Sequence, residues 1–214
     1  MKYRDAWIGD LVASASGIVQ RSDGRVAIGA VLLIENAAGE SVVVTKAPKP
    51  GYEFSGLDTL PGGMLRSTGA GPIRQDNLRR IAFESLSMRA SAEAGYLPES
   101  ALAPIELNPP PTTSYNVGGA RKHVIVLPYA ITAPPGFHPV ASDRSVTRAR
   151  WVNPLEVVPN LAPANCLIVC KFIWPRLDAA AREKCRASIK KAFADCKRWA
   201  QEAGVPPVDM TWLS

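Results

Sequence analysis

The chain has 214 residues, 47% of them hydrophobic, and a formal net charge of +6. This length suits one globular domain with terminal additions and leaves too little chain for a second full domain. No segment reaches the roughly 18 uninterrupted apolar residues that a bilayer span needs, and the first residues lack the apolar run of a signal peptide. We therefore expect a cytoplasmic protein with no membrane partner.

The predicted elements begin with residues 1–20, which we interpret as an N-terminal arm that forms an extra strand or contacts a partner. Strands are predicted over residues 26–34, 41–45, 105–107, 123–132 and 148–152, and the fourth of these forms a hairpin with residues near Ser114. Residues 64–75 are rich in Gly, Ser, Thr and Pro and are predicted to be a loop.

A helix is predicted between this loop and Gly95. Asp76 or Asn77 is a suitable cap for its start, and Gly95 is a suitable left-handed cap for its end. Residues that we expect on its buried face recur at helical spacing: Leu78, Ile81, Ser85, Met88 and Ala92. The glycine pair Gly62-Gly63 precedes the loop and permits backbone conformations that side chains forbid.

Two helices are predicted at the C terminus, over residues 164–174 and from Pro175 to near Gly204. The second has an apolar stripe that must be buried: Leu177, Ala181, Cys185, Ile189, Ala192, Cys196, Trp199 and Ala203. Packing on its own domain is our first interpretation, and a homodimer through this helix is the alternative. The organisation is therefore an arm (1–20), a central domain (21–174) and a C-terminal helix with its tail (175–214).

A segment that accounts for the net positive charge and all four cysteines also lie in this region. Between Lys171 and Arg198 there are nine Lys or Arg residues and three acidic ones. Because no aromatic residues are interleaved in a stacking pattern, we interpret the charge as a solvated helix face and do not expect a nucleic-acid partner. The cysteine spacing does not match a zinc pattern, so reduced, packed thiols are expected.

The order of these elements resembles the Nudix hydrolase family over roughly residues 26–174. The resemblance rests on Leu60-Pro61-Gly62-Gly63, on a loop and helix that end in Gly95-Tyr96, on the central hairpin, and on Arg150-Trp151-Val152-Asn153-Pro154-Leu155. It implies an α/β fold of the α+β kind: an α/β/α sandwich with a mixed sheet, to which the last helix is added.

The family's sequence box is degenerate in this chain. The interval from Gly63 to Gly95 is about eleven residues longer than the family pattern. Counting back from Gly95, the box Arg falls on Met88, the following Glu on Arg89, and the Glu-Glu pair on Ala92 and Glu93. Only Glu93 matches.

This degeneracy bears directly on the family's chemistry. Hydrolysis of a diphosphate needs Mg²⁺ or Mn²⁺ held by several oxygen ligands. Glu93 and the backbone carbonyl of Gly62 could hold a single weakly bound ion. The structural alternative for Glu93 is an ion pair with Arg89, four residues earlier on a solvated helix.

Other residues are candidates for a ligand site. Asp143 is a candidate base or metal ligand from the loop before the last strand, and His138 lies in the same loop. Basic side chains that could pair with phosphates are Lys46, Lys49, Arg66, Arg74 and Lys122, and Tyr52, Phe54 or Tyr115 could stack on a base.

Three hypotheses follow. The first is a divergent Nudix protein that recognises a nucleoside diphosphate derivative or another diphosphate, with standard hydrolysis weak or absent. The second is an active hydrolase with a site rebuilt around Glu93 and Asp143. The third is a scaffold that pairs with another subunit through its C-terminal helix.

Overall fold

The computed structural model describes residues 9–49, 54–99, 101–117 and 120–214. Its strands are β1 (Leu11–Ala13), β2 (Val19–Arg21), β3 (Val26–Glu35), β4 (Ser41–Lys46), β5 (Asp58–Thr59), β6 (Gly62–Met64), β7 (Gly71–Ile73), β8 (Ala103–Pro104), β9 (Thr112–Val117), β10 (Ala120–Thr132) and β11 (Val146–Val152). Its α-helices are α1 (Gln75–Ala94), α2 (Pro154–Val157), α3 (Pro163–Ile173) and α4 (Ala179–Ala203).

The centre of the sheet is a parallel pair, β3 and β10, aligned over the whole length of β3. Along its other edge β3 pairs in turn with β2, β6 and β4, all antiparallel. Nine of the ten β3 residues are buried because both faces of this strand are covered, which explains its continuous apolar sequence. The predicted strands at 26–34, 41–45, 123–132 and 148–152 are confirmed, as is the hairpin, formed by β9 and β10.

Helices cover both faces of this sheet. Helix α1 packs on β3, β4, β6 and β11, and α4 packs on α3 and β9. Alternate residues of β3 divide between two cores: Ile28 and Leu32 lie in the core with α1, whereas Val31 and Leu33 lie in the core with α3 and α4. The fold is therefore an α/β/α sandwich with a mixed sheet and an added C-terminal helix, as predicted.

Helix α1 differs from its prediction at the start and along one face. Its N-cap residue is Arg74, and no side chain caps it, so the prediction of Asp76 or Asn77 as the cap is wrong. Gly95 ends the helix in the left-handed conformation, as expected. Met88 is 55% exposed, because the buried face turns toward Leu86, Ala90 and Glu93 in the last turns.

Three further predictions need correction or completion. Residues 105–107 are not a strand; the edge pairing with β10 is made by β8, two residues earlier. The predicted 64–75 loop contains β7, which pairs with β1. The described part of the N-terminal arm forms β1 and β2, so its extra-strand interpretation is confirmed there, and residues 1–8 lie outside the described residues.

The apolar stripe of α4 is buried within the chain. Cys185, Ile189, Ala192, Cys196 and Trp199 all belong to the core that α4 shares with α3 and the sheet. All four cysteines are free and buried, as expected. The homodimer stays a prediction, but the surface offered for it is already covered. None of the helices in the described part of the chain combines the length and apolar character of a membrane span.

Candidate functional site

The glycine pair lies on β6, against the middle of β3. Gly62 and Gly63 are opposite Val31 and Ala30 in the antiparallel register. A Cβ atom at Gly62 would collide with the carbonyl oxygen of Ala30 and lie 2.8 Å from the Cα of Val31. Only glycine allows this close approach, which brings the backbone of residue 62 next to the end of α1.

Glu93 projects from the last turn of α1 toward this glycine pair and is buried, with a side chain that is 2% exposed. Its Oε1 accepts a hydrogen bond from the Lys46 ammonium at 2.8 Å, and its Oε2 accepts one from the backbone N–H of Gly62 at 3.1 Å. Lys46 is the last residue of β4, so strand, helix and glycine turn meet at this carboxylate. The interpretation of Glu93 as a solvated residue is wrong.

Arg89 lies one turn earlier on α1 and is the second cation near Glu93. Its Nη1 is 3.9 Å from Oε1 of Glu93, and its side chain is 32% exposed. The guanidinium also lies over Gly63, because a Cβ there would be 3.3 Å from Nε of Arg89. The predicted ion pair between Arg89 and Glu93 is present, but it is longer than the second ion pair of Glu93, which is with Lys46.

The loop between β10 and β11 is held against the end of α1. The hydroxyl of Ser142 donates to the carbonyl of Ala92 at 2.8 Å, and the backbone N–H of Val140 donates to that of Ala94 at 3.0 Å. Hydrogen bonds from Ser145 lower the pKa of Asp143 below its usual value, and the charges of Arg89 and Lys46 lower it further. The contacts of Ser142 and Val140 thus hold the loop that carries Asp143 against the end of α1 that carries Glu93.

The residues at this site do not fit a divalent cation. Both oxygens of Glu93 already accept from protein donors, and one of these donors is itself a cation. The group that Gly62 presents to Glu93 is its N–H, which cannot ligate a metal. Across the described ranges there is no cluster of three or more His, Cys, Asp or Glu side chains suited to a metal.

A small cavity opens beside Lys46, on the face of the sheet that α3 covers. Its volume is about 120 Å³, and among the described residues Lys46 is the only charged one that lines it. Polar lining side chains come from Thr59, Thr113 and Asn165. The Oδ1 of Asn165 accepts from the backbone N–H of Leu60 at 2.9 Å, whereas its amino group donates to none of the described residues.

The other predicted ligand residues are scattered. Arg74 lies at the opposite end of α1 from Glu93, about 28 Å away along the helix axis, so the two cannot share a small ligand. The Arg66 guanidinium donates to the backbone carbonyl of Ser16 at 3.1 Å. Lys122 is on β10, two residues before the cavity-lining Val124. Tyr52 lies outside the described residues.

Of the four remaining candidates, two are placed by their side chains, and the side chain of Tyr115 on β9 lies outside the described part of the chain. Phe54 lines the cavity and is buried. His138 is exposed, and within the described ranges it makes no hydrogen bond or ion pair with Glu93. For Lys49 the contact is through its backbone N–H, which donates to the Ser55 hydroxyl at 2.9 Å. The sheet thus brings Lys46, Gly62, Glu93 and Phe54 to one region and leaves Arg66, Arg74 and His138 outside it.

Two important groups were not predicted. Asn165 is in the first turn of α3, within a run of apolar residues, where a polar side chain is a usable signal. Asp58 is 6% exposed, and its carboxylate receives 2.7 and 3.0 Å hydrogen bonds from both terminal nitrogens of Arg150. This pair lies on β5 and β11, far apart in sequence, so no local pattern indicates it.

No protein-family model matches this sequence, and no curated protein sequence matches it either. Solved structures with a similar course of the chain include the NUDIX domain of Shewanella oneidensis NrtR complexed with ADP ribose (TM-score 0.49, 14% identity, 70% of this chain and 88% of that one). A MutT protein from Methanosarcina mazei matches with a TM-score of 0.49 and 16% identity over 72% of this chain and 96% of that one. A Caenorhabditis elegans Ap4A hydrolase matches with a TM-score of 0.46 and 17% identity over 69% and 96%.

These matches are to Nudix proteins, the family that the sequence resembles. Their identities of 14% to 17% and TM-scores below 0.5 assign no activity and no ligand to this chain. A functional argument has to come from the residues around Lys46 and Glu93.

Proposed function

We propose that this protein is a divergent Nudix-type module that recognises a diphosphate, such as a nucleoside diphosphate derivative, without the metal-dependent hydrolysis of the family it resembles. The observation that carries this proposal is the contact between the Lys46 ammonium and Glu93, 2.8 Å long. In this chain an ammonium group stands beside the single carboxylate that matches the box.

The ion pair opposes metal binding. A Mg²⁺ or Mn²⁺ ion at Glu93 would have to displace the Lys46 ammonium, which would leave that largely buried cation without its partner. Arg89, 3.9 Å from the same carboxylate oxygen, adds electrostatic repulsion against any incoming cation. A single carboxylate cannot offset both the loss of the Lys46 ion pair and the repulsion by Arg89, since hard cations need several oxygen ligands.

The same arrangement favours an anion. A Lys ammonium has three N–H donors, and Glu93 uses one of those on Lys46. With the amino group of Asn165, the cavity offers donors and a positive charge to a phosphate group. Ligand pockets usually have volumes of about 300–1,000 Å³, so a cavity of 120 Å³ takes one phosphate-sized group and leaves the rest of the ligand at its mouth.

The binding test is calorimetric titration with ADP and with pyrophosphate, first in EDTA and then in excess Mg²⁺. We expect binding in EDTA that Mg²⁺ does not strengthen. Asn165→Asp keeps the acceptor for Leu60 but replaces the amino donor with an oxygen, and it should weaken binding at least about tenfold. Asn160→Asp, the same change at an exposed position, is the matched control and should have no effect.

Hydrolysis is measured in parallel as phosphate release from the same ligands. We expect none above the rate without protein. Turnover in Mg²⁺ that Glu93→Gln and Asp143→Asn both abolish would refute the proposal and establish the rebuilt hydrolase site. Failure of ADP and pyrophosphate to bind in either condition would reject diphosphate recognition at this cavity.

A further inference from the structure

A second and larger opening lies between α4 and the segment that joins α2 to α3. This groove, which we call the α4 groove, has a volume of about 470 Å³, within the usual range for small-molecule sites. Its floor is apolar and includes Val158, Leu161 and Ala192. It is formed by the helix that the sequence places outside the Nudix-like stretch.

One wall of the α4 groove is aromatic. Trp199 and Phe54 both line it, with ring centroids 6.5 Å apart and planes nearly perpendicular. The indole N–H of Trp199 is buried and has no hydrogen-bond partner among the residues that the structure describes. An unpaired buried donor is unfavourable, and a ligand atom in the groove could satisfy it.

The charged residues around the groove are mainly basic. Within the described ranges, Arg121, Lys191 and Arg198 line it, against the single carboxylate of Asp195. Arg198 pairs with Asp195 at 3.1 Å, and Arg121 pairs with Glu202 at 3.2 Å. Lys191 is exposed and forms no ion pair with any residue that the structure describes. The groove therefore combines an aromatic wall with an excess of positive charge.

We infer that the α4 groove is a binding site for an aromatic phosphate, with the ring against Trp199 and Phe54 and the phosphate at Lys191. Lys191 and Arg198 are seven residues apart on α4, which places both on the same side of the helix. Both cations can therefore face one dianionic group. This site does not depend on the proposed function of the Lys46 cavity, since the two openings have different charged residues.

The probe is phenyl phosphate, titrated into ¹⁵N-labelled protein and followed by the tryptophan indole resonances in two-dimensional NMR spectra. The Trp199 indole signal is assigned with Trp199→Phe. We expect phenyl phosphate to shift that signal at millimolar concentration. Inorganic phosphate has only the phosphate group and phenol has only the aromatic ring, so each should bind at least about tenfold more weakly than phenyl phosphate.

Two lysine variants provide a matched pair. Lys191→Met should weaken phenyl phosphate binding about tenfold, whereas Lys190→Met removes the same charge from the neighbouring exposed position and should change nothing. Equal weakening by both variants would overturn the inference, because it would indicate a general electrostatic attraction. Inorganic phosphate binding as tightly as phenyl phosphate would also overturn it.

A last variant separates the two openings. Asn165→Asp acts on the cavity and should leave the phenyl phosphate titration of the α4 groove unchanged. If it abolishes the Trp199 shift, the probe occupies the cavity and the groove inference fails while the proposed function stands. If phenyl phosphate does not shift the Trp199 indole signal at all, the groove is not a site for this class of ligand.

Discussion

Asp58 and Glu93 are both buried carboxylates paired with a cation, but the two cations satisfy their partners to different extents. Arg150 contacts both oxygens of Asp58, at 2.7 and 3.0 Å, and the Thr45 hydroxyl donates a third bond at 2.7 Å. Glu93 receives one bond from Lys46 and one from the Gly62 backbone, with Arg89 at 3.9 Å.

This difference indicates that the Arg150–Asp58 pair is structural, whereas the Lys46–Glu93 pair can also bind a ligand. A planar guanidinium matches a carboxylate in a fixed geometry and uses its donors on it. An ammonium makes a point contact and keeps two donors for other acceptors. Thr45 and Lys46 are neighbours on β4, so consecutive residues of one strand serve the two purposes.

Removing the Arg150 guanidinium, which binds both oxygens of Asp58, should have the largest effect on stability. Arg150→Met leaves the Asp58 charge buried without its partner, and we expect the free energy of unfolding to fall by about 3 kcal/mol in urea denaturation. Arg148→Met, at an exposed position of the same strand, should change it by less than about 0.5 kcal/mol. Equal losses of stability in the two variants would show that the Arg150–Asp58 pair contributes no more than an exposed arginine.

Removing the Lys46 ammonium should lower the free energy of unfolding by less. In Lys46→Met the Glu93 carboxylate keeps the Gly62 N–H and Arg89, so we expect a loss of about 2 kcal/mol. The double variant Lys46→Met/Glu93→Gln has no unpaired charge and should recover at least half of that loss. Additive effects in this double-mutant cycle would mean that the two side chains are not coupled.

The Arg89 contact should contribute little to folding. At 3.9 Å and on a partly exposed helix face, it resembles pairs that contribute about 0.5 kcal/mol or less. Arg89→Met should therefore shift the urea midpoint only slightly. A stability loss as large as that of Lys46→Met would show that both cations are structural.

The smallest effect should come from Asp143 and depend on pH. Because Ser145 hydrogen bonds and nearby cations lower its pKa in the folded protein, its contribution is present above the unfolded value near 3.8 and is lost as pH falls through the lower folded value. Asp143→Asn should reduce stability by a few tenths of a kcal/mol at neutral pH, about the size of an exposed interaction, and by nothing in acid. Paired urea denaturations at the two pH values measure this.

Ser145→Ala provides the control for that prediction. It removes the hydroxyl that contributes most to the lowered pKa of Asp143, so it should narrow the neutral-pH difference between Asp and Asn at position 143. If the stability difference between Asp and Asn at position 143 were the same in acid as at neutral pH, it would not arise from the ionised carboxylate, and the prediction would be wrong.

The sequence predicts most of the fold because its signals are local. The apolar run of β3, the glycine that ends α1 and the stripe of α4 are each readable within one element. The predicted start of α1 is within one or two residues of the observed one, but its cap residue is wrong because no side chain caps the first turn. Strand β7 was missed because its pairing with β1 joins residues some sixty positions apart and its sequence, Gly-Pro-Ile, has no strand pattern.

The site was less accessible to prediction. The distance from Gly95 identifies Glu93, but its partner Lys46 lies on strand β4, and no sequence spacing connects the two. The contact of Asn165 with Leu60 and that of Arg150 with Asp58 form only through tertiary packing. Arg74 and Arg66 were chosen for charge alone, and charge without position does not define a site.

The two glycines of β6 differ in how much substitution they should accept. Residue 62 has no room for a Cβ between Ala30 and Val31, whereas a Cβ at residue 63 would meet only the movable side chain of Arg89. The first glycine is thus required by the architecture of the sheet, whatever reaction the protein performs.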